Sequence, residues 1–342
     1  MILRNYTPFP PLLFDGRDVQ GRDFGVLVLR GTFDIVPGAA LRPNPKQEPI
    51  VLSDVWHGEP NASSVRMESD LAPFKPRADI FVNAVAHAPG GRALPSWPVR
   101  VRVGAVEKAL RVTGPRAWVR QGHAWTLEEP EPAVEVPLRY ELAFGGIYKS
   151  NWGDEHICLE NPVGKGHVVG DVPGHVDRWP APQIESFEDP VVEFGKVYRP
   201  EGFGVIARSW QPRLKRAGTF DDEWQRTRWP ELPMDFEFSF YNAAHPDLIV
   251  PGFLKGDEEV ELEGLASDGP LRFYLPGYQL GVLLRFKDGS MGVGPVFLDT
   301  LVVAVPEMRA HMTWRSVMPK GKAIRVMEPR MTLPNGGRRG GQ

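Results

Sequence analysis

Residues 24–33 read FGVLVLRGTF, a run of β-branched and aromatic side chains that ends shortly before a Pro-Gly turn at residues 37–38. Such a run, bounded by turn residues, is typical of a β-strand. A second run alternates Val99, Val101 and Val103 with arginines. Side chains on a strand point alternately to opposite faces, so this pattern indicates a half-buried strand. Short strands separated by turns are therefore predicted as the main building element.

The C-terminal third of the chain carries further strand signals. Residues 280–286 and 296–305 are apolar runs that flank the segment Lys287-Asp288-Gly289. An Asp-Gly pair between two such runs is a strong hairpin signal, so the runs are predicted to form one. Residues 309–317 alternate well enough to form a late strand, with a helix as the alternative.

The best candidate for a helix is DDEWQRTR at residues 221–228. Thr219 or Asp221 can cap its start, because their side-chain oxygens accept hydrogen bonds from free backbone N–H groups. Acidic residues favour the positively polarised first turn, and Pro230 ends the helix after about two turns.

Glycine and proline are abundant, with 36 and 35 copies in 342 residues, while hydrophobic residues make up 42%. This excess of turn formers in an otherwise globular composition predicts many short strands joined by turns. We therefore expect a mainly β fold, with antiparallel sandwich-like or barrel-like sheets, long Gly/Pro-rich loops and few short helices.

The chain length fits either one large β domain or two smaller domains. Residues 1–320 are predicted to form a single β-rich domain, or two β subdomains with a seam near residues 150–200, where Gly and Pro are dense. Residues 321–342, which end in NGGRRGGQ, are predicted to form a flexible tail.

The charge balance argues against several classes of partner. A net charge of −3, from 43 acidic and 40 basic residues, does not favour binding to nucleic acid or to an anionic membrane. Cys158 is the one cysteine, so no internal disulfide and no multi-cysteine metal site can form. The sequence shows neither the apolar core of a secretory signal nor a run of about 20 apolar residues for a membrane span. A cytoplasmic location is expected.

Fragments that resemble catalytic or nucleotide-binding motifs fail on their context. Residues 202–207 approximate a dinucleotide fingerprint, but Pro212 lies where the required helix should run. Residues 161–166 resemble a phosphate loop only in composition, because glycine follows the lysine where Ser or Thr is needed. We expect no enzymatic activity, no cofactor and no metal.

One metal site remains as an alternative. His167 and His175 lie near Asp171 and Asp177 in the central loop region. Imidazole and carboxylate groups are common ligands of divalent metals, so these side chains would suit a hydrolase if the loop brought them together. Solvated loop histidines are the simpler interpretation.

Residues 73–79, PFKPRAD, hold a lysine and an aspartate between prolines. Residues that precede proline avoid the helical region, so Lys75 is held on an extended segment between Asp70 and Asp79. We interpret Lys75 as the partner of one of these aspartates in an ion pair that stabilises the start of a strand. A lysine that contacts a partner protein is the alternative.

Two groups of candidate residues follow from these motifs. Large aromatic side chains and arginines are enriched at interface hot spots, which predicts a partner-binding patch unless the same residues form a core under the short helix. That patch comprises Trp210, Arg213, Trp224, Arg228 and Trp229. A structural role is predicted for Asp70, Phe74, Lys75, Pro76, Asp79, Gly145, Gly146, Gly218 and Asp221.

Several motifs occur in a fixed order from about residue 20 to residue 315: SDLAPFKPRADI, AHAPGG, YELAFGG, NPVGKG, PQIE and the long run GFGVIARSWQPRLKRAGTFDDEWQRTRWPELPMDFEFSFYNAAHPD. The ordered set resembles the domain-of-unknown-function family 2169, whose members are adaptor-chaperones for type VI secretion effectors. The resemblance covers nearly the whole chain, and its last motif is the strongest.

The resemblance implies a protein that binds a toxic effector and delivers it to the VgrG spike without catalysing a reaction. Its implied partners are therefore a type VI effector and VgrG. Two alternatives are a metal-dependent hydrolase that uses the loop site and a structural component of the secretion apparatus.

Overall fold

The structure is a computed structural model that describes residues 1–150, 152–170, 172 and 174–332. The helical elements in these residues are an α-helix, α1 (Asp222–Thr227), and 3-10 turns at Pro89–Gly91, Tyr140–Leu142, Leu214–Ala217, Phe238–Tyr241 and Pro246–Leu248. The strands of the N-terminal half are β1 (Ile2–Leu3), β2 (Pro11–Arg17), β3 (Asp23–Asp34), β4 (Arg42–Pro43), β5 (Val55–Trp56), β6 (Val65–Met67), β7 (Ala78–Asn83), β8 (Val85–His87), β9 (Ser96–Val103), β10 (Val106–Thr113), β11 (Ala117–Gln121), β12 (Ala124–Leu127), β13 (Glu135–Pro137), β14 (Phe144–Gly145), β15 (Ile147–Lys149) and β16 (Glu155–Ile157). The strands that follow are β17 (Lys165–Gly166), β18 (Arg178–Pro180), β19 (Ile184–Glu185), β20 (Ile249–Val250), β21 (Glu259–Glu263), β22 (Leu271–Tyr274), β23 (Gln279–Phe286), β24 (Met291–Pro295), β25 (Phe297–Ala304), β26 (Arg309–Pro319) and β27 (Ile324–Thr332).

The largest sheet has the strand order β2-β3-β26-β25-β7-β20, with β4 paired to β3. Its neighbours are antiparallel except for β25 and β7, which are parallel. Strand β3 contains the run that opened the sequence, and residues 26–33 are buried without interruption. A stretch that is buried without interruption belongs to a strand that is covered on both faces, so the strand prediction for residues 24–33 is confirmed.

A second sheet has the order β19-β10-β9-β21-β22. On β9, Val99, Val101 and Val103 are buried, as the alternating pattern predicted. The intervening Arg102 lies on the other face, where its Nη2 is 2.6 Å from Glu261 Oε2 on β21. Cross-strand pairs of opposite charge on a half-exposed face fix the register of such a sheet.

The third large sheet, β1-β27-β23-β24, corrects two predictions. The hairpin at Asp288-Gly289 exists, with Gly289 at φ +84°, but β23 pairs with β24 and not with residues 296–305. Those later residues form β25, which lies between β26 and β7 in the largest sheet. The short run 291–295 was overlooked because it is interrupted by glycines.

The tail predicted at residues 321–342 was also wrong over part of its length. Residues 324–332 form β27, which pairs with β23 and, in parallel, with β1. Val326 and Met327 are buried in this sheet, so this stretch contributes apolar surface to the core. Residues 333–342 lie outside the described residues.

A single hydrophobic cluster joins the three large sheets, with Leu29, Val101 and Val282 among its fully buried members. Two smaller clusters lie around Trp118 and Tyr148 and draw on residues 118–198. The predicted seam near 150–200 falls in this region, and a division into two subdomains stays a prediction.

The predicted helix is confirmed as α1. The Asp221 carboxylate accepts a hydrogen bond from the Trp224 backbone N–H at 2.8 Å, which is the expected N-cap contact. Within the described part of the chain, no helix is long and apolar enough to cross a membrane. The fold is mainly β with mostly antiparallel sheets, as predicted, and the described sheets do not close into a barrel.

Candidate partner-binding surface

Lys75 of the PFKPRAD segment lies in the protein interior just before β7. Its Nζ donates hydrogen bonds to Asp79 Oδ2 at 2.7 Å and to Thr300 Oγ1 at 3.1 Å. Glu68 Oε2 is 3.8 Å from the same ammonium. Burial opposes the charged form of Lys75, but the Asp79 and Glu68 carboxylates outweigh it and raise the pKa of the lysine above its usual value. The ion pair interpretation is therefore correct for Asp79.

Asp70, the other candidate partner, binds a different cation. Its Oδ2 is 3.2 Å from Arg30 Nη1, and its carboxylate also accepts from the Thr313 hydroxyl at 3.1 Å. The Val51 backbone N–H donates to Oδ2 at 2.9 Å. Asp70 therefore ties β3 and β26 to the segment before Lys75, and it makes no ion pair with that lysine.

These contacts belong to a larger group of charges, which we call the buried ion cluster. None of its side chains is more than 8% exposed, so their charges must be compensated by each other. It contains four cations and four anions: Arg30, Lys75, Arg213, Arg315, Glu68, Asp70, Asp79 and Asp299. The formal charges cancel, which is the condition for keeping this many ionised groups out of water.

Asp79 holds the C-terminal part of the long motif at residues 202–247 against the buried ion cluster. Its carboxylate accepts from the Asn242 side chain at 3.0 Å and from the Ala243 backbone N–H at 3.1 Å. Asn242 also donates to the Arg77 carbonyl at 2.8 Å. The chain that follows residue 240 is therefore held directly against β7.

Arg213 holds the N-terminal part of the same motif against the buried ion cluster. Its guanidinium donates to Glu68 Oε1 at 2.5 Å, to the Ile206 carbonyl at 2.7 Å and to the Phe240 carbonyl at 2.8 Å. Because Ile206 precedes and Phe240 follows the intervening residues, one buried side chain ties both ends of residues 214–236 together. We call residues 214–236 the exposed aromatic segment.

Large apolar side chains of the exposed aromatic segment face solvent. Trp229 is 68% exposed, Met234 60% and Phe220 56%. The Phe220 ring packs edge-on against the half-buried Trp224 at a centroid distance of 4.8 Å. Exposed aromatic surface of this kind is characteristic of protein interaction sites.

Hydrogen bonds hold the backbone of the segment in place. Trp224 Nε1 donates to the Glu231 carbonyl at 2.9 Å. The Arg228 guanidinium donates to the Leu232 carbonyl at 2.9 Å and to the Val19 carbonyl at 2.8 Å. Arg228 therefore fastens the segment to the loop after β2, and its guanidinium is committed to that contact.

Gly218 marks a tight turn at the start of the segment, with φ +80°. A Cβ at this position would lie 2.8 Å from Asp235 Oδ1 and 2.9 Å from Pro233 Cβ. Asp235 in turn accepts from the Thr219 hydroxyl at 2.8 Å. The glycine is needed because the two ends of the segment approach each other at this point.

The predicted patch divides between interior and surface. Trp210 is 3% exposed and packs against the Tyr140 ring at 5.6 Å, and Arg213 is 2% exposed. Both were proposed as partner contacts, and burial removes them from any surface, since apolar packing and the cluster occupy them. Trp224, Arg228 and Trp229 lie together on the exposed aromatic segment.

Gly145 and Gly146 join two of the sequence motifs. A Cβ on Gly145, at φ +145°, would lie 2.2 Å from the Asn161 carbonyl oxygen. Asn161 Nδ2 donates to the Tyr140 and Phe144 carbonyls, each at 2.8 Å. The YELAFGG and NPVGKG motifs thus contact each other through their backbones.

Phe74 and Pro76 of the PFKPRAD motif are partly buried. Phe74 packs edge-on against Phe238 at 5.6 Å, and Pro76 is half-buried.

The alternative metal site is not assembled by the described residues. His167 packs against Phe144, and burial lowers its pKa, whereas His175 is exposed. Asp171 lies outside the described residues. Among the residues that are described, three side chains of a type that could hold a metal ion do converge, namely Glu201, His245 and Asp247.

Glu68, Arg30, Asp299 and Arg315 were missed by sequence reasoning. A signal was available for two of them, because Arg30 interrupts the apolar run of β3 and Arg315 lies within the run at residues 309–317 that was predicted as a strand. A charge inside a buried strand requires a partner, although the sequence does not say which one.

Comparison with known protein families shows that the chain matches a family model. A family model described as "Uncharacterized protein conserved in bacteria (DUF2169)" matches residues 20–315 of the chain. No curated protein and no solved structure matches it.

Proposed function

The chain belongs to the DUF2169 family of bacterial proteins, and we propose that it is an adaptor-chaperone that binds a toxic effector and loads it onto the VgrG spike of a type VI secretion machine. In this proposal the protein acts in the cytoplasm and catalyses no reaction. The effector contacts the exposed aromatic segment.

The observation that carries the proposal is the exposure of large side chains on a segment whose backbone is held firmly. Trp229 and Phe220 are each more than half exposed, while Arg213 ties both ends of their segment to the interior. Binding loses less conformational entropy when the contacting backbone is already ordered. An anchored aromatic surface is therefore well suited to partner binding.

The buried ion cluster supports the same function indirectly. Burying eight charged groups contributes little net stability compared with apolar packing of the same volume. In this chain the cluster fixes the position of residues 206–213 and 240–244, which flank the exposed aromatic segment. Its role in the proposal is to position the binding surface.

The experiment is co-expression with the toxin encoded by the neighbouring gene, followed by size-exclusion chromatography. We expect one co-eluting complex with the wild-type chain. The double variant Phe220→Ala/Trp229→Ala is expected to weaken binding by at least about 2 kcal/mol, or about 30-fold in Kd, which is the size of a hot-spot truncation.

Trp152→Ala is the matched control, because Trp152 is 92% exposed and lies outside the segment. It should leave the complex intact. A neighbouring toxin that elutes separately from the wild-type chain at micromolar concentration contradicts the proposal. Deletion of the gene should also abolish delivery of that toxin to target cells while leaving the secretion machine active.

A further inference from the structure

A cavity of about 360 Å³ opens next to the start of the exposed aromatic segment. Its walls are mainly apolar and include Ile206, Pro212 and Pro246, while Tyr140 and His245 also line it. Val197 at the cavity is 62% exposed. The cavity thus combines an accessible apolar rim with two buried polar side chains.

Tyr140 contributes a hydroxyl that forms no hydrogen bond with any described residue. The side chain is only 3% exposed, and its ring is fixed between Trp210 and the backbone of Gly202, where a Cβ would lie 3.0 Å from the ring. Burial and then the charge of Glu201 raise the pKa of this hydroxyl, so it stays protonated and can donate. A buried donor without a partner is costly, which makes it a candidate for a ligand contact.

His245 is the second buried polar side chain at the cavity. Its Nδ1 accepts from the Asp247 backbone N–H at 3.3 Å, lies 3.2 Å from Asp247 Oδ2 and faces Arg199 Nη2 at 3.3 Å. Its Nε2 lies 3.3 Å from Glu201 Oε2 and forms no hydrogen bond with any described residue. Burial, together with Lys108 and Arg199, lowers the pKa of His245 to about 3, so the ring is neutral at physiological pH.

The charged groups at this site argue against a metal ion. Glu201, His245 and Asp247 converge, but the Lys108 ammonium already bonds the Glu201 carboxylate and lies 2.9 Å from Asp247 Oδ2. The lysine therefore already pairs with the two carboxylates that a cation would need.

We propose that the cavity binds an uncharged amide of the partner polypeptide, whose carbonyl oxygen accepts a hydrogen bond from the Tyr140 hydroxyl. A neutral donor matches a carbonyl oxygen, and the apolar walls match the aliphatic part of a peptide. A carboxylate ligand is disfavoured because Glu160 lines the cavity, while Arg199, the cation in its wall, is already 3.5 Å from the Asp247 carboxylate.

The inference rests on the proposed function, since that function supplies a polypeptide as the ligand. Gln211 and Pro212 line the cavity and lead directly into Arg213 and the exposed aromatic segment. One partner surface can therefore cover the segment and insert an amide into the cavity.

The first test uses N-acetyl-L-glutamine amide as an uncharged probe and N-acetyl-L-glutamate as its anionic counterpart. Each is titrated onto the full chain and followed by NMR of the histidine ring signals. We expect saturable binding of the amide with a Kd of about 1 mM, the value for a ligand of this size at ordinary efficiency, and no saturable binding of the glutamate.

Tyr140→Phe keeps the ring packing and removes the hydroxyl. It should weaken amide binding about fivefold, the loss of one hydrogen bond, without lowering the melting temperature, because the hydroxyl has no partner among the described residues. Tyr278→Phe, whose residue is absent from the cavity lining, is the control and should bind as the wild type does. Equal binding by wild type and Tyr140→Phe, or only ordered water at the Tyr140 hydroxyl in a crystal soaked with the probe, overturns the inference.

Binding measurements with the effector distinguish a failure of this inference from a failure of the proposed function. If Phe220→Ala/Trp229→Ala abolishes effector binding while Tyr140→Phe leaves the effector Kd unchanged, the inference is wrong and the proposed function stands. If no effector complex forms but the probe binds in a Tyr140-dependent way, the proposed function is wrong and the amide specificity of the cavity stands.

Discussion

Replacing Lys75 with alanine tests whether this lysine compensates the buried carboxylates of Asp79 and Glu68 in the folded protein. The substitution removes a cation that is 4% exposed and leaves Asp79, which is fully buried, and Glu68 without it. Removing one partner of a buried ion pair costs about 3–5 kcal/mol of unfolding free energy, because the remaining charge stays desolvated.

The structure places Lys75→Ala near the lower end of that range. Asp79 keeps its hydrogen bonds from Asn242 and from the Ala243 backbone N–H, and Glu68 keeps Arg213. Neither carboxylate is left without a donor, so we expect a loss of about 3 kcal/mol. A typical stability of about 5–15 kcal/mol leaves the variant folded but strongly weakened.

Urea denaturation followed by tryptophan fluorescence measures this loss. Arg77→Ala is the matched control, because Arg77 lies on the same segment and its side chain is exposed, so it should change stability by less than about 0.5 kcal/mol. The Lys75→Ala variant that remains folded should bind the effector nearly as tightly as the wild type does. A stability within about 0.5 kcal/mol of wild type, or intact folding with abolished binding, would refute the structural role of Lys75.

Three further predictions concern other parts of the molecule. Gly145→Ala should lower stability by about 2–5 kcal/mol in the same urea assay, because its Cβ would overlap a backbone oxygen and φ is +145°, whereas Gly90→Ala, with open space around it, should cost about 1 kcal/mol. Asp221→Ala should cost about 1 kcal/mol through loss of the α1 cap, seen as faster amide hydrogen exchange in that helix with little change elsewhere. Burial and, to a smaller extent, nearby arginines lower the pKa of His311 from an ordinary 6.5 to about 3. Between these two pH values the histidine is protonated in the unfolded chain and neutral in the folded chain. Stability should therefore fall as pH drops from 6.5 towards 3, by up to about 1.4 kcal/mol per pH unit for this group, and His311→Gln should reduce that slope; an unchanged slope would contradict the assignment.

Local patterns in the sequence predicted local structure well. The apolar run at residues 24–33, the alternation of β9 and the cap of α1 each depend on residues that are near neighbours in the chain. The Asp288-Gly289 turn was also predicted, but its partner strand was not. Pairing depends on which strand is adjacent in space, and a glycine-rich strand such as β24 carries a weak signal.

The candidate site was only partly predictable for the same reason. Lys75 and Asp79 are four residues apart, and their ion pair was anticipated. The contact between Arg315 and the Asp70 carbonyl spans 245 positions, and no pattern within either strand specifies it. Burial of Trp210 likewise depends on Tyr140, which lies on a distant segment.

Hydrogen–deuterium exchange of the wild-type chain, with and without the neighbouring toxin, is the most direct measurement of the proposed binding surface. Amides of residues 214–236 should exchange more slowly in the complex, because the partner covers the segment that carries Trp229. A stable complex that protects other surfaces and leaves residues 214–236 unchanged would show that the exposed aromatic segment does not bind the effector.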